Sequence, residues 1–317
     1  MNKCIRGSES AVRVLIVLAF LTASASLRAS TDTTDADKST HAVPGGRSLL
    51  LFPSTLTFHP PLASPFEPHF GIIRDFEDGS LLADIGNAAE IIRLLPEDDG
   101  ATLAAAAEFF ARAYVTEWQG FHLQVDAIDG FFGGNIVWSK PADFGNTAAR
   151  FRFIHHSSHL ADGHLNSLTG KWKDGREPAP WTKDQFELLA ALSGGSWRVY
   201  GGVNYATRTR PASLKPLSGS AGFEYAPFFN AEGWIHPFIA YDFRLDGGAM
   251  LDEQTHTVRG TDAYVGAHSI LAGASIGAYG KRSLRIFLHY HAGTHPLSEY
   301  MDVRTPYIGA GFDFEYF

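Results

Sequence analysis

The sequence predicts an all-β protein, a transmembrane antiparallel β-barrel of about twelve strands over residues 68–317. After Pro68 the chain is a succession of strand-length runs in which apolar residues alternate with polar ones, the period of a strand with two dissimilar faces. The polar face carries Arg, His and Asp in mid-strand positions, and the apolar face is rich in aromatic residues. A half-buried soluble sheet also alternates, but a charged lumen inside an aromatic-edged exterior is typical of a membrane barrel.

Twelve runs carry the alternation, and many have the roughly 9–11 residues that a tilted strand needs to cross a bilayer. An even number is expected of a closed bacterial barrel whose two termini lie on one side. The alanine-rich stretch 103–118 is ambiguous between helix and strand, and we expect a short helix there. The runs lie near residues 68–77, 82–94, 119–132, 135–144, 147–158, 183–193, 196–208, 216–226, 234–245, 267–278, 283–292 and 306–317.

The connections in the second half of the chain alternate in length. Those near 194–195, 227–233 and 279–282 are short, whereas those at 159–182, 246–266 and 293–305 are long. Outer-membrane barrels have short periplasmic turns and longer outside loops. We therefore expect a protein of the bacterial outer membrane whose chain starts and ends in the periplasm.

The first 29 residues have the organisation of a secretory signal peptide. A positively charged start precedes an apolar stretch at Val14–Leu21, which is too short to span a bilayer, and small residues follow at Ala23–Ala25. The single cysteine, Cys4, lies in this leader. We therefore expect a mature chain without disulfides and without a cysteine-based metal or redox site.

Residues 30–67 are predicted to be a disordered or Pro-rich periplasmic arm. The stretch up to about Ser48 is rich in Thr, Asp, Ser, Ala and Gly, which suits a flexible terminus. Prolines are then so frequent between Phe58 and Pro65 that a central strand is excluded. This part is expected to be an extended arm or a plug.

Charge and composition restrict the partners. The formal net charge is −8, the pI is near 5.9, and no run of lysines and arginines stands out, so we expect no nucleic-acid partner. The expected partners are membrane lipids and small polar solutes, and we expect no cofactor and no metal.

The stretch Ala149–Asn166 contains the candidate site. Phe151 and Phe153 share one parity of a predicted strand with His155 and Ser157, so all four are expected on the lipid-facing side. A hydroxyl and an imidazole two residues apart on a strand project side by side, as a nucleophile and its base must. In this interpretation Ser157 is the nucleophile, His155 is the base, and Asn166 or Asp162 orients the imidazole.

Two other interpretations stay open. His155, Ser157 and His159 can simply cap a strand at the polar interface and hydrogen-bond the following loop. A metal site would need side chains from both faces of the strand to converge, which alternation opposes. Its ligands would come from His155, His156, His159, Asp162 and His164.

Several segments resemble an uncharacterised bacterial outer-membrane family, classed as a domain of unknown function. The family's motif is similar to His-Gln-Ser-Ser-His-Leu-Gly-Asp, and this chain has His-His-Ser-Ser-His-Leu-Ala-Asp at 155–162. The other resembling segments are 198–202, 214–216, 284–293 and 307–311. The resemblance implies a barrel and no particular activity.

The triplet His155-His156-Ser157 also resembles the His-x-Ser pair that outer-membrane acyl hydrolases, the phospholipase A and lipid A deacylase types, carry on a lipid-facing strand. The hydrolases' following asparagine is replaced by Ser158. This resemblance implies a Ser/His-dependent acyl hydrolase acting on phospholipid or lipid A. The charged inner face instead suggests a barrel of unassigned activity that is a narrow, porin-like pore for small solutes.

Overall fold

The computed structural model describes residues 40–43, 47–96, 100–118, 122–226, 234–277 and 282–315. The predicted signal peptide, residues 30–39 of the predicted arm and the terminal aromatic Phe317 lie outside these ranges. Within them, no helix is long and apolar enough to cross a bilayer.

The described residues form an all-β fold built on a closed antiparallel barrel. Twelve strands, β3–β7 and β10–β16, pair in chain order, and the ring closes between β16 and β3. The strands are β1 (Thr40–Val43), β2 (Arg47–Leu51), β3 (Gly71–Asp75), β4 (Leu81–Pro96), β5 (Thr102–Trp118), β6 (His122–Ala142), β7 (Gly145–Leu160), β8 (Leu165–Asn166), β9 (Lys171–Trp172), β10 (Trp181–Ser193), β11 (Trp197–Arg210), β12 (Leu217–Tyr225), β13 (Ile235–Leu251), β14 (Val258–Gly277), β15 (Ser283–Ala292) and β16 (Tyr307–Glu315).

The predicted number of strands is correct although two of the assignments behind it are wrong. The stretch 103–118, expected to be a helix, is strand β5, and the two runs 119–132 and 135–144 belong to the single strand β6. The strand prevails over the helix preference of alanine because it brings buried charges to their partners on neighbouring strands. Arg112 of β5, for example, reaches Asp84 of β4 at 2.6 Å.

The two faces of the barrel differ as the alternation predicts. The outer face exposes many large apolar side chains, a surface suited to lipid; they include Phe109, Phe132, Ile136, Phe151, Leu188, Val203, Ile286, Leu288 and Ile308. The inner face holds buried ion pairs between neighbouring strands, which neutralise charge away from water. Among these pairs are Arg150–Glu187, Arg152–Glu187, Arg198–Glu224 and Arg285–Asp313.

Part of the predicted arm is ordered as a hairpin. Strands β1 and β2 pair with each other, and β2 pairs with β4, with Leu49 opposite Leu94 and Leu51 opposite Ile92. The reason lies in the lengths of the first two barrel strands. Strand β4 has 16 residues and β3 only 5, so β2 supplies hydrogen-bond partners to the edge of β4 that β3 leaves open.

Residues 55–69, which include the proline-rich part of the arm, lie inside the barrel, and we call this stretch the lumen segment. Its backbone accepts from Arg198 at His59 O (2.8 Å), and its Leu62 amide donates to Glu224 at 2.8 Å. Its Glu67 carboxylate pairs with Arg150 and Arg152. Further contacts reach Glu90 of β4, Arg244 of β13 and Glu315 of β16. Partners on strands from all around the ring can be reached only through the lumen.

The barrel has two distinct ends. The long-loop end carries the connections 76–80, 161–180, 211–216, 252–257 and 293–306, and the short-turn end carries 143–144 and 194–196. At the long-loop end, side chains from two connections and from three strand ends pack together: Leu214 and Met301 with Trp181, Ala249 and Val258. The lumen is thus occupied by the lumen segment and partly covered at the long-loop end.

Candidate functional site

His155 and Ser157 lie on the outer face of β7, toward the long-loop end, and continue the exposed row of Phe151 and Phe153. Adjacent residues of the strand, such as Ile154 and His156, are buried inside. The alternation therefore places the imidazole and the hydroxyl on the side predicted from the sequence.

The orienting partner of His155 is Asp184 on the neighbouring strand β10. The two residues stand directly opposite each other, and His155 Nδ1 lies 2.5 Å from Asp184 Oδ1. Both side chains are partly exposed, His155 by 26 % and Asp184 by 21 %. The ring of Phe132, opposite His155 on β6, lies 4.5 Å from the imidazole centroid. With Nδ1 bound to the carboxylate, Nε2 is the ring nitrogen left for a reacting hydroxyl.

Ser157 is held beside this pair by the strand itself. Residues two apart on a strand have Cα atoms about 6.6–6.8 Å apart, and no hydrogen bond joins Ser157 to His155 in the described part of the chain. Such hydrogen bonds are often absent before a substrate is bound. Gly130 of β6 lies opposite Ser157, and a Cβ at that position would stand 3.7 Å from Ser157 Oγ. The missing side chain therefore leaves room for a substrate at the hydroxyl.

Neither residue predicted to orient the imidazole contacts His155. Asn166 Oδ1 accepts from the amides of Leu168 (3.0 Å) and Thr169 (3.2 Å), so that this side chain shapes the loop. Asp162 begins a short 3-10 turn at Asp162–His164. The sequence did contain a signal for Asp184, since it is a carboxylate on the lipid-facing parity of a strand whose next outward residues are Phe186 and Leu188.

A second set of Ser, His and Asp side chains lies on the inner face, one residue along the same strand. His156 Nε2 lies 2.9 Å from Asp129 Oδ2, and Ser158 Oγ donates to the other oxygen of Asp129. The amides of Ser298 (3.0 Å) and Glu299 (3.2 Å) donate to Asp129 and Ser158 respectively. The set is fully buried and fixes the loop 293–306 against the barrel wall.

Two titratable groups of that loop are perturbed by burial. Burial, reinforced by the carboxylate of Asp129, raises the pKa of Glu299 to about 8. Burial, reinforced by the nearby His291, lowers the pKa of His295 to about 4. Glu299 is neutral and His295 uncharged near pH 6, which suits a loop buried against the barrel.

The alternative metal site has no support in the geometry. Its histidines are divided, with His155 and His159 outside and His156 and His164 buried inside. His164 contacts Asp126 at 3.0 Å and Lys173 O at 2.9 Å. No cluster of three His, Cys, Asp or Glu side chains that could hold a metal ion occurs among the described residues.

A cavity of about 530 Å³ opens at the long-loop end. Its wall includes Tyr114, Asp126, His295 and Tyr300, and it contains none of the predicted catalytic residues. His155 and Ser157 therefore face the outer surface of the barrel and not this cavity.

Comparisons with known proteins place the chain in a family. No curated protein matches the sequence. The solved structure of outer membrane phospholipase A from Escherichia coli is similar with a TM-score of 0.42 and 10 % identity, over 83 % of this chain and 96 % of that one. A likeness this low adds nothing about activity. Residues 18–316 match the family described as "Protein of unknown function (DUF1207)", and the chain belongs to that family.

Proposed function

We propose that this protein is an outer-membrane β-barrel that hydrolyses acyl esters of membrane lipids at its outer surface. The observation that carries the proposal is the 2.5 Å contact between Asp184 and His155 beside an accessible Ser157. A carboxylate that contacts an imidazole, with a hydroxyl next to the imidazole on the same strand face, supplies the components of acyl transfer by a serine nucleophile. On the lipid-facing surface they can be reached by an ester that diffuses laterally in the membrane.

The reaction divides into acylation and deacylation. In acylation, Ser157 Oγ attacks the ester carbonyl, its proton passes to His155 Nε2, and the imidazolium returns this proton to the departing alcohol. In deacylation, water attacks the acyl-serine, again giving its proton to His155, and the fatty acid leaves as Ser157 is reprotonated. Asp184 holds the ring orientation throughout and stabilises the imidazolium that forms in each half.

The adjacent serines of β7 provide a matched test. Ser157→Ala should abolish the release of fatty acid from phospholipid or lipid A, because the variant lacks the attacking hydroxyl. Ser158→Ala, which changes the inward-facing neighbour, should retain activity per folded molecule although it loses buried hydrogen bonds. Equal turnover by the wild type and Ser157→Ala, or no turnover by the wild type, would refute the proposal.

The pore suggested by the charged inner face receives less support. The lumen segment passes between strands on all sides of the ring, and Pro61 within it is fully buried. Arg150 and Arg152, which could have lined a channel, are instead neutralised by Glu67, Glu108 and Glu187. An open path for solute would require this segment to leave.

A further inference from the structure

The outer face around the site is organised in two rows that cross three neighbouring strands. Both rows begin on β7, cross β10 and end in an arginine of β11 at the long-loop end. The rows are Ser157, Thr182 and Arg210, and His155, Asp184 and Arg208. His155 and Ser157 therefore each lie in register with an arginine two strands away, about 10 Å across the sheet.

A β-bulge creates this arrangement. On one side of it Gln185 pairs with Ala206, and on the other Asp184 pairs with Arg208, so that Thr207 is the extra residue. Without the extra residue, alternation would turn Thr207 and Thr209 outward and both arginines into the lumen. The bulge thus brings two cations to the outer face.

The two arginines are available to a ligand. The Arg208 side chain is 65 % exposed, and its ion pair is the long 3.8 Å contact with Asp184. Arg210 is exposed, and no ion pair to it occurs in the described ranges. Both lie in the last residues of β11, next to the loop 211–216. In a membrane barrel this end of a strand lies at the depth of the lipid headgroups. Arginine forks bind phosphate oxygens in pairs.

The surface on the other side of the site is apolar and aromatic. Toward the short-turn end from His155, the ring of Phe186 lies 5.2 Å from that of Phe153 and 5.5 Å, stacked, from that of Phe151. Aromatic rings at this depth of a barrel surface contact acyl chains. An ester at Ser157 would therefore have its acyl chain along the phenylalanines and its headgroup toward the arginines.

We infer that the lipid hydrolysed at this site is anionic, and that its phosphate-bearing headgroup is bound by Arg208 and Arg210. The inference rests on the proposed function and names the substrate class for it. The two arginines bind the headgroup and do not take part in the proton transfers. Free phosphate shares the chemistry, but the aromatic surface beside the site commits the ligand to a lipid.

The test measures the preference of the enzyme for an anionic lipid over a neutral one. Purified protein in micelles of a neutral detergent is given phosphatidylglycerol or diacylglycerol with the same acyl chains, and the ratio of the two kcat/KM values is taken. The double variant Arg208→Gln, Arg210→Gln should lower this ratio roughly 10- to 100-fold, because charge-assisted hydrogen bonds to the phosphate are lost. Arg259→Gln is the matched control, an exposed arginine of the long-loop end that pairs with Asp252 at 2.9 Å. It should keep the wild-type ratio.

A second measurement separates this inference from the proposed function. Native mass spectrometry compares the retention of the same two lipids, so it needs no hydrolysis. Wild type that hydrolyses neither lipid but retains phosphatidylglycerol through the two arginines refutes the hydrolase and supports the headgroup site. An unchanged preference in the double variant overturns the inference, and so does displacement of phosphatidylglycerol by millimolar inorganic phosphate, which would show a site for the ion alone.

Discussion

Replacing Asp184 with alanine separates a catalytic role of the Asp184–His155 pair from a structural one. The two side chains are about one quarter and one fifth exposed, so their 2.5 Å contact lies in a partly hydrated surface. A pair of this kind contributes on the order of 1 kcal/mol to stability. Loss of the group that orients a catalytic imidazole instead lowers kcat roughly 10²–10⁴-fold, which is about 3–5 kcal/mol of transition-state stabilisation.

The assay follows from that difference. Asp184→Ala should still fold, which is checked by heat-modifiable gel migration and by the midpoint of thermal unfolding in detergent. Its rate of fatty-acid release should fall by the factor given above, with most of the loss in kcat. Asp262→Ala is the control, because this fully exposed carboxylate of β14 has only a 3.9 Å contact with Lys215. Wild-type kcat in Asp184→Ala would show that His155 needs no orienting carboxylate and would refute the assignment.

Three further predictions concern access, the lumen and pH. Gly130→Val should cover Ser157 and reduce lipid hydrolysis without unfolding the barrel, whereas free entry of substrate in this variant would show that Gly130 is not on its path. Wild type should give little conductance in planar bilayers and a variant lacking residues 53–65 should give channel events, so equal conductance of the two would exclude a blocked lumen. Because the pKa of Glu299 is raised, the buried position favours the neutral carboxyl. Burial of Glu299 therefore stabilises the docked loop 293–306 fully below about pH 4.5, and this stabilisation is lost progressively up to about pH 8. Glu299→Gln should remove this loss of amide-exchange protection at alkaline pH, after correction for intrinsic rates, and an unchanged profile would assign the dependence to another group.

The alternation of apolar and polar residues was sufficient to predict the barrel, because the outer face of the barrel is apolar and its inner face is charged. The parity of Phe151 and Phe153 placed His155 and Ser157 outside, and the structure has them there. Strand boundaries were harder, since alternation does not show where a run must turn. The pair Gly133-Gly134 resembles a turn, but β6 passes straight through it, and there the glycines let the strand approach the backbones of its neighbours.

The partners across strands could not be predicted from one sequence. Asp184 is 29 positions from His155, and its place opposite the imidazole depends on the register between β7 and β10. Asn166 is closer to His155 in sequence, but its side-chain oxygen accepts hydrogen bonds from amides of its own loop. The course of the lumen segment could not be predicted for the same reason. The arginines that hold Glu67 inside the barrel are more than 80 positions away in the sequence.

The choice between the two Ser/His/Asp sets of β7 rests on access and not on hydrogen-bond quality. The inner set is the better connected, since His156 and Ser158 both contact Asp129, and backbone amides of the loop 293–306 complete the network. That completeness argues against catalysis there, because Ser158 is fully buried, accepts from the Glu299 amide and donates to Asp129, so a substrate cannot reach its hydroxyl. The outer set is less connected and reachable. Its histidine has one carboxylate partner, and its serine faces a glycine. A nucleophile must exchange its contacts during every turnover, and of the two serines only Ser157 can do so without displacing the loop that covers the barrel.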